Sequence, residues 1–432
     1  MEPPARIDLD RVSAIRTERI DWHVKGAPDA LFGSTIAEAL ARKPNLFTDG
    51  FVGPLLVLSD DAIEHNLRTM ERWCAERGLA LAPHGKTTMA PQLFARQIEH
   101  GAWAITAATA SQVRVYRAFG VSRIMLANQL VDAAALRWLS VELQRDPDFS
   151  CYCWVDSVAG VELMTAALEG ATRPVDVLVE LGADGGRTGA RGSAEAIAVA
   201  EAAVASPALR LVGVAGYEGA LAHDASESSR ATVDAYLDGI RELTVSLADR
   251  GRFDEVPKVI VSVGGSAYFD QVTRALTTPW PETVPVLPVL RSGAYVTHDD
   301  GFYRGISPLG EHPRIVGTPG FQSGMLAWAQ VTSRPSDGLA LLTAGKRDVP
   351  YDEGLPIPRL RRRDGVTTPL DGSTITAVND QHAFLEPATD VLVGDWIGLG
   401  LSHPCTAFDK WQLIPMVGAD GETVVDLIRT YF

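Results

Sequence analysis

The sequence predicts an α/β fold, a parallel (β/α)8 barrel of the TIM type followed by a β-rich C-terminal domain, and three observations carry that prediction. Apolar or β-branched runs recur between about residues 54 and 290, most of them separated by segments long enough for a helix. PLLVLS, LALAP, AWAITAA, RIMLAN, SCYCWVD, VDVLVELG, LRLVGVAGY and KVIVSVGG make eight strand candidates, with VPVLPVLRSG as one more. These runs are nearly continuous instead of alternating, as expected of strands covered on both faces. After about residue 300 the texture changes: Gly and Pro become frequent, helical patterns become scarce, and short strands such as TITAVNDQHAFLE and DWIGLGLSHPCTAF continue toward Phe432. The expected domains are an N-terminal segment over 1–53, the barrel over 54–299 and a β-domain over 300–432.

Each part has its own signals. The first 53 residues hold Trp22, His23, the helical-looking STIAEALARK and the turn Thr48, Asp49, Gly50, with no evident chemistry. DAIEHNLRTMERWCAERG has apolar positions at helical spacing and ends at Gly78, where a helix C-cap is expected. Cys151 and Cys153 fall in a core strand and are expected to pack there.

Composition narrows the classes. A chain of 432 residues with 46% hydrophobic content can bury a large core. No apolar run approaches the roughly 18 residues of a membrane span, and the start MEPPARIDLDR is too charged for a signal peptide, so a cytoplasmic protein without a membrane is expected. A net charge of -15 argues against nucleic acid as a partner. Four cysteines are too few and too oddly spaced for a disulfide framework.

The candidate chemistry lies past the strand ends, where a barrel carries its functional groups. In LALAPHGKTTMAP, a short strand delivers Lys86 onto a turn softened by Gly85. A lysine there suits Schiff-base formation with an aldehyde, or it simply ends a strand with its ammonium in water. KVIVSVGG runs into Gly264, Gly265 and Ser266, and consecutive glycines leaving a strand expose N–H groups that can converge on a phosphate, or are ordinary loop punctuation. The glycine-rich VELGADGGRTGA carries Arg187, and VAGYEGALAH carries Tyr217 and His223, the latter more ordinarily a solvated loop histidine. His403 and Cys405 are spaced by two. On a short strand they would point the same way and could chelate one divalent ion, for which imidazole plus thiolate favours zinc, with manganese or magnesium as alternates.

The run PHGKTTMAPQLFARQIEHGAWAITAATASQ, followed by RIMLANQLVD, resembles the fold-type III pyridoxal-phosphate enzymes of the D-serine dehydratase and D-threonine aldolase family, in particular its bacterial D-serine deaminase-like (low-specificity amino acid deaminase) branch. The resemblance implies an alanine racemase-like barrel whose cofactor is carried by Lys86. Many members read Lys-Thr-His-Lys where this chain has Lys86, Thr87, Thr88 and Met89. Arg187 would meet the cofactor ring oxygen or the substrate carboxylate, and Tyr217 would lie against the cofactor. The segment Arg291 to Tyr295 resembles an Arg-Pro-Gly-x-Tyr element that meets the phosphate, which brings in Ser292, Gly293 and Tyr295. His403 and Cys405 match the metal pair of the dehydratase branch, where the aldolase branch has His-x-Asp. His382 matches another histidine of that domain, a candidate catalytic group.

The implied function is a pyridoxal-phosphate- and zinc-dependent lyase that converts D-serine or a related 3-hydroxy-D-amino acid into a 2-keto acid and ammonia by β-elimination. The alternatives are a D-threonine aldolase, an amino acid racemase and a non-catalytic cofactor carrier. The resemblance also implies a homodimer and an N-terminal segment packed on the C-terminal domain.

Overall fold

The computed structural model describes residues 2–432, which form two compact units. One contains the residues up to Asp8, Met70–Lys86 and Arg96–Gly293; the other contains Leu9–Thr69, Thr87–Ala95 and Ala294–Phe432.

The first unit is built on eight parallel strands, Ala80–Leu81, Ile105–Ala107, Arg123–Gln129, Ser150–Val155, Val175–Leu181, Leu209–Gly216, Val259–Val263 and Val286–Leu290. From Ile105–Ala107 onward each pairs with the next in sequence, and Ala80–Leu81 pairs with Val286–Leu290. Backbone bonds from Trp103 N to the Leu81 carbonyl (2.7 Å) and from Thr106 N to the Pro83 carbonyl (2.8 Å) join the remaining two edges and close the barrel. Its interior is filled by Trp103, Met125, Trp154, Leu178, Ile260 and Val289, a packed core instead of a channel. The surrounding helices present apolar stripes to it: Phe269–Thr277 buries Phe269, Val272 and Leu276, spaced as one helix face requires. Cys151 and Cys153 are free and buried in their strand, and burial pushes the Cys153 thiol up to about 12, in keeping with packing.

One strand is not where the sequence pattern suggested. PLLVLS forms Leu55–Ser59, yet it is not a barrel strand. It lies in the second unit between Met325–Ser336, to which it is antiparallel, and Leu413–Val417, to which it is parallel. The extra candidate, VPVLPVLRSG, supplies the eighth barrel strand. A continuous apolar run reports burial on both faces and not which sheet does the burying. The barrel thus starts at the strand before Lys86 and not at residue 54.

The second unit is a mostly antiparallel sheet ordered Val366–Pro369, Ile357–Arg363, Trp396–Gly400, Met325–Ser336, Leu55–Ser59, Leu413–Val417, Val424–Arg429, with three further strands off this path. The N-terminal segment belongs to it: Leu46 N donates to the Glu422 carbonyl, Val424 N to the Pro44 carbonyl, and Arg429 Nε to Glu18 at 3.0 Å. Helix Ile36–Ala41 opens with a reciprocal capping box between Thr35 and Glu38. No helix among the described residues is long and apolar enough to cross a membrane.

Candidate active site

The barrel mouth gathers most of the residues singled out in the sequence. Lys86 sits in the single turn Gly85–Thr87 directly after its strand, half-buried. Gly85 is required there, because a Cβ would fall 2.7 Å from the Tyr116 hydroxyl and 2.8 Å from Ile105. Gly293, at the end of the last strand, lies so close that a Cβ would come within 2.6 Å of the His84 Cβ and 2.8 Å of its carbonyl oxygen. The two turns therefore abut, with His84 between them. Desolvation first, then the charges of Lys86, Arg291 and Arg187, push the His84 imidazole well below its ordinary value, so it is neutral at pH 7. Arg187 stacks on Tyr217, its guanidinium carbon 4.4 Å from the ring centroid, and remains exposed. Ser292 Oγ donates to the Gly265 carbonyl at 2.8 Å and ties the two glycine turns together.

Two further residues lie at the same mouth: Glu218, which the sequence did not single out, and Arg291, which it offered only as the start of the Arg291 to Tyr295 element. Glu218 is fully buried, and its Oε1 accepts from Gly265 N at 2.8 Å. Burial raises its carboxyl above the usual range despite bonds from the Gly265 and Gly264 N–H groups. This corrects the expectation that those glycines offer open donors to a phosphate: a carboxylate already engages them. Arg291 is buried, donates to Ser262 Oγ (2.7 Å) and the Gly216 carbonyl (2.6 Å), and lies 5.4 Å over Trp154. Arg291 Nε, Glu218 Oε2 and His84 Nδ1 are all buried atoms with no hydrogen-bond partner among the described residues. Orphaned polar atoms at the barrel mouth suit a small polar group bound there, since such atoms are costly to leave bare. The residues present therefore fit a phosphorylated aldehyde cofactor.

The metal candidates lie in the second unit. His403 and Cys405 are not on a strand. His403 holds a left-handed conformation (φ 56°) and precedes the short helix Pro404–Phe408, in which Cys405 is the second residue. Burial alone would hold the His403 imidazole down, but its hydrogen bond to Cys405 and the negative charges of Cys405 and Asp352 outweigh that and push it up to about 9. Imidazole and thiol thus meet, as a shared ligand pair requires. The Cys405 thiol also donates to Thr87 Oγ1 at 3.5 Å. No group of three or more His, Cys, Asp or Glu placed to hold a metal occurs among the described residues. His382 therefore does not join the pair; it is exposed, between strands Thr374–Val378 and Ala383–Glu386. Tyr295 falls in this unit too, buried in the turn Ala294–Val296. His223 is an exposed loop residue.

Next to this region are two buried groups that titrate in opposite senses. Burial, with Arg304 nearby, pushes His298 down to about 4, and burial pushes Asp299 up to about 6 even though four backbone N–H groups bond it. The unfolded chain takes up a proton at His298 below about pH 6.5 that the folded chain refuses, so His298 costs stability as pH falls from there toward 4. Asp299 partly masks this, because its folded form holds a proton longer than the unfolded one. Asparagine is tolerated at the positive φ of position 298 (49°). His298→Asn should gain on the native protein by about 1.4 kcal/mol per pH unit below 6.5, reaching roughly 3 kcal/mol near pH 4. Urea unfolding of both proteins at pH 7 and 4.5 checks it.

A closed parallel barrel with a lysine on its rim, a cation stacked on tyrosine and unsatisfied buried polar atoms suits a pyridoxal-phosphate enzyme of the alanine racemase type. The comparisons agree. The profile of the alanine racemase N-terminal domain matches residues 58–275, half of the chain, and that of a serine dehydratase domain matches 324–417. A D-threonine aldolase from an Arthrobacter species is 28% identical over 336 residues, covering 77% of this chain and 79% of that protein. The crystal structure of D-threonine aldolase from Filomicrobium marinum superposes with a TM-score of 0.73 at 24% identity, covering 88% of this chain and 95% of that one. D-threo-3-hydroxyaspartate dehydratase from a Delftia species gives 0.71 at 21% identity, over 90% and 99%, and a cysteine-to-alanine variant of such a dehydratase has been solved in the metal-free form. The chain belongs to the fold-type III pyridoxal-phosphate enzymes of the D-serine dehydratase and D-threonine aldolase family, and it is a pyridoxal-phosphate-dependent lyase.

Proposed function

We propose that this lyase is a metal-assisted dehydratase of D-serine or a related 3-hydroxy-D-amino acid, releasing a 2-keto acid and ammonia. The observation that carries the reading is the meeting of the His403 imidazole with the Cys405 thiol, inside the stretch matched by the serine dehydratase profile. A soft thiolate beside an imidazole suits zinc, and two protein ligands leave open positions for water or substrate. A D-threo-3-hydroxyaspartate dehydratase with a cysteine changed to alanine has been solved in a metal-free form, in keeping with this reading.

When bound, pyridoxal phosphate supplies an electron sink beside Cα, and a divalent ion supplies a Lewis acid for the 3-hydroxyl. Lys86 would hold the cofactor through its amine and, with that amine free, would take the Cα proton of the substrate. Arg187 offers a planar fork of donors to an anionic oxygen of cofactor or substrate. Neutral His84 adds a hydrogen-bonding group without adding charge. Because Glu218 engages the Gly264 and Gly265 N–H groups and the Ser292 hydroxyl donates to the Gly265 carbonyl, a phosphate would be held chiefly by Ser266 and by the backbone of Ser292 and Gly293, and Tyr295 follows in the chain. We further propose a homodimer in the cytoplasm, on family resemblance and on four cysteines that are all free.

The second reading is a D-threonine aldolase, favoured by the Arthrobacter and Filomicrobium proteins. Incubating the purified protein with D-serine, L-serine and D-threonine, with and without a chelator, separates the two. Keto acid and ammonia from D-serine, lost with the chelator, are expected; glycine plus an aldehyde from D-threonine as the main products would give the second reading the field.

A further inference from the structure

Position 403 is unusual for its residue type, because a non-glycine side chain at φ 56° carries strain of roughly 1–3 kcal/mol that surrounding bonds must hold in place. Those bonds are visible. His403 N donates to Asp299 Oδ2 at 3.2 Å, and the preceding Ser402 Oγ donates to the Glu353 carbonyl at 2.8 Å. The side chain has its own anchor: His403 Nδ1 lies 2.5 Å from Asp352 Oδ2. The other oxygen of the same carboxylate accepts from Thr406 Oγ1 at 2.8 Å. Asp352 therefore grips the residues on either side of Pro404 and Cys405 at once, although it is distant from both in sequence.

This geometry has a chemical consequence. An imidazole whose Nδ1 is committed to a carboxylate can offer only Nε2 to a metal, and the carboxylate fixes both ring orientation and tautomer while raising ligand basicity. Each oxygen of the Asp352 carboxylate is already bonded, one to His403 and one to Thr406, and no three-member metal group occurs among the described residues. Resting on the metal reading above, we propose that Asp352 is the positioning residue of the site: it holds His403 so that Nε2 and the Cys405 thiolate face the ion, and leaves the remaining coordination positions to water and substrate.

The test is zinc affinity of the full-length protein, measured by competition with a chromophoric chelator. Asp352→Ala should weaken binding about 10- to 100-fold, Asp352→Asn should weaken it less, and Asp352→Glu should recover part of the loss, while the unfolding midpoint of the metal-free protein stays close to that of the native chain. In the zinc-loaded native protein, nitrogen–proton correlation of labelled histidine should find the His403 proton on Nδ1. Equal zinc affinity in native protein and all three variants, or the proton on Nε2, overturns the proposal while the metal reading stands. Failure of the native protein itself to bind zinc more tightly than Cys405→Ala overturns the metal reading and this proposal with it.

Discussion

Lys86→Ala should lose the long-wavelength absorption of a lysine-bound cofactor and at least about a thousandfold in turnover, because in the proposed function one side chain would both anchor the cofactor and move the Cα proton. The fold is not expected to suffer. Lys86 is half-buried at a strand end, and the barrel closure beside it runs through the backbones of Leu81, Pro83, Trp103 and Thr106. Absorbance on adding pyridoxal phosphate, with a thermal scan as control, checks the result. A variant that keeps both the absorption band and turnover would require another amine to carry the cofactor.

Cys405→Ala should behave in the opposite way, keeping the absorption band and losing the metal. Removing a Lewis acid worth several kcal/mol to the departure of the 3-hydroxyl should cost on the order of a thousandfold in keto-acid formation from D-serine. The loss of one half-buried thiol that contacts Thr87 Oγ1 should cost little stability. Metal content and turnover should fall together, and addition of a chelator to the native protein should reproduce the variant. Full turnover with no bound metal would detach the His403 and Cys405 pair from the chemistry.

The parts of this molecule that could be read from its sequence are those whose signal is local. Lys86, the Gly264 and Gly293 turns, Arg187 and Tyr217 each follow a strand within a few residues, so strand plus turn was enough to place them at one mouth. The Leu55–Ser59 strand was assigned to the wrong sheet, because its neighbours come from residues 325–336 and 413–417 and nothing in five apolar residues points so far along the chain. Asp352 was invisible for the same reason, being 51 residues from the imidazole it binds. The left-handed backbone at His403 could not be read either, since histidine seldom adopts it and the stabilising bonds come from Asp299 and Asp352. Glu218 could have been noticed as a carboxylate in a turn between Tyr217 and Gly219, a place where burial would be expensive without purpose.

The interleaving of the two units also constrains synthesis. When Leu55–Ser59 leaves the ribosome, the strands that will flank it are more than 260 residues from being made, and an apolar strand with two bare edges is a site for misassembly. The barrel can close once residue 293 has emerged, well before the other sheet has its full set of strands. A gene fragment cut near residue 300 would thus yield a formed barrel trailing an orphan strand, so chaperone dependence during translation should be governed by the amino-terminal seventy residues and not by the barrel.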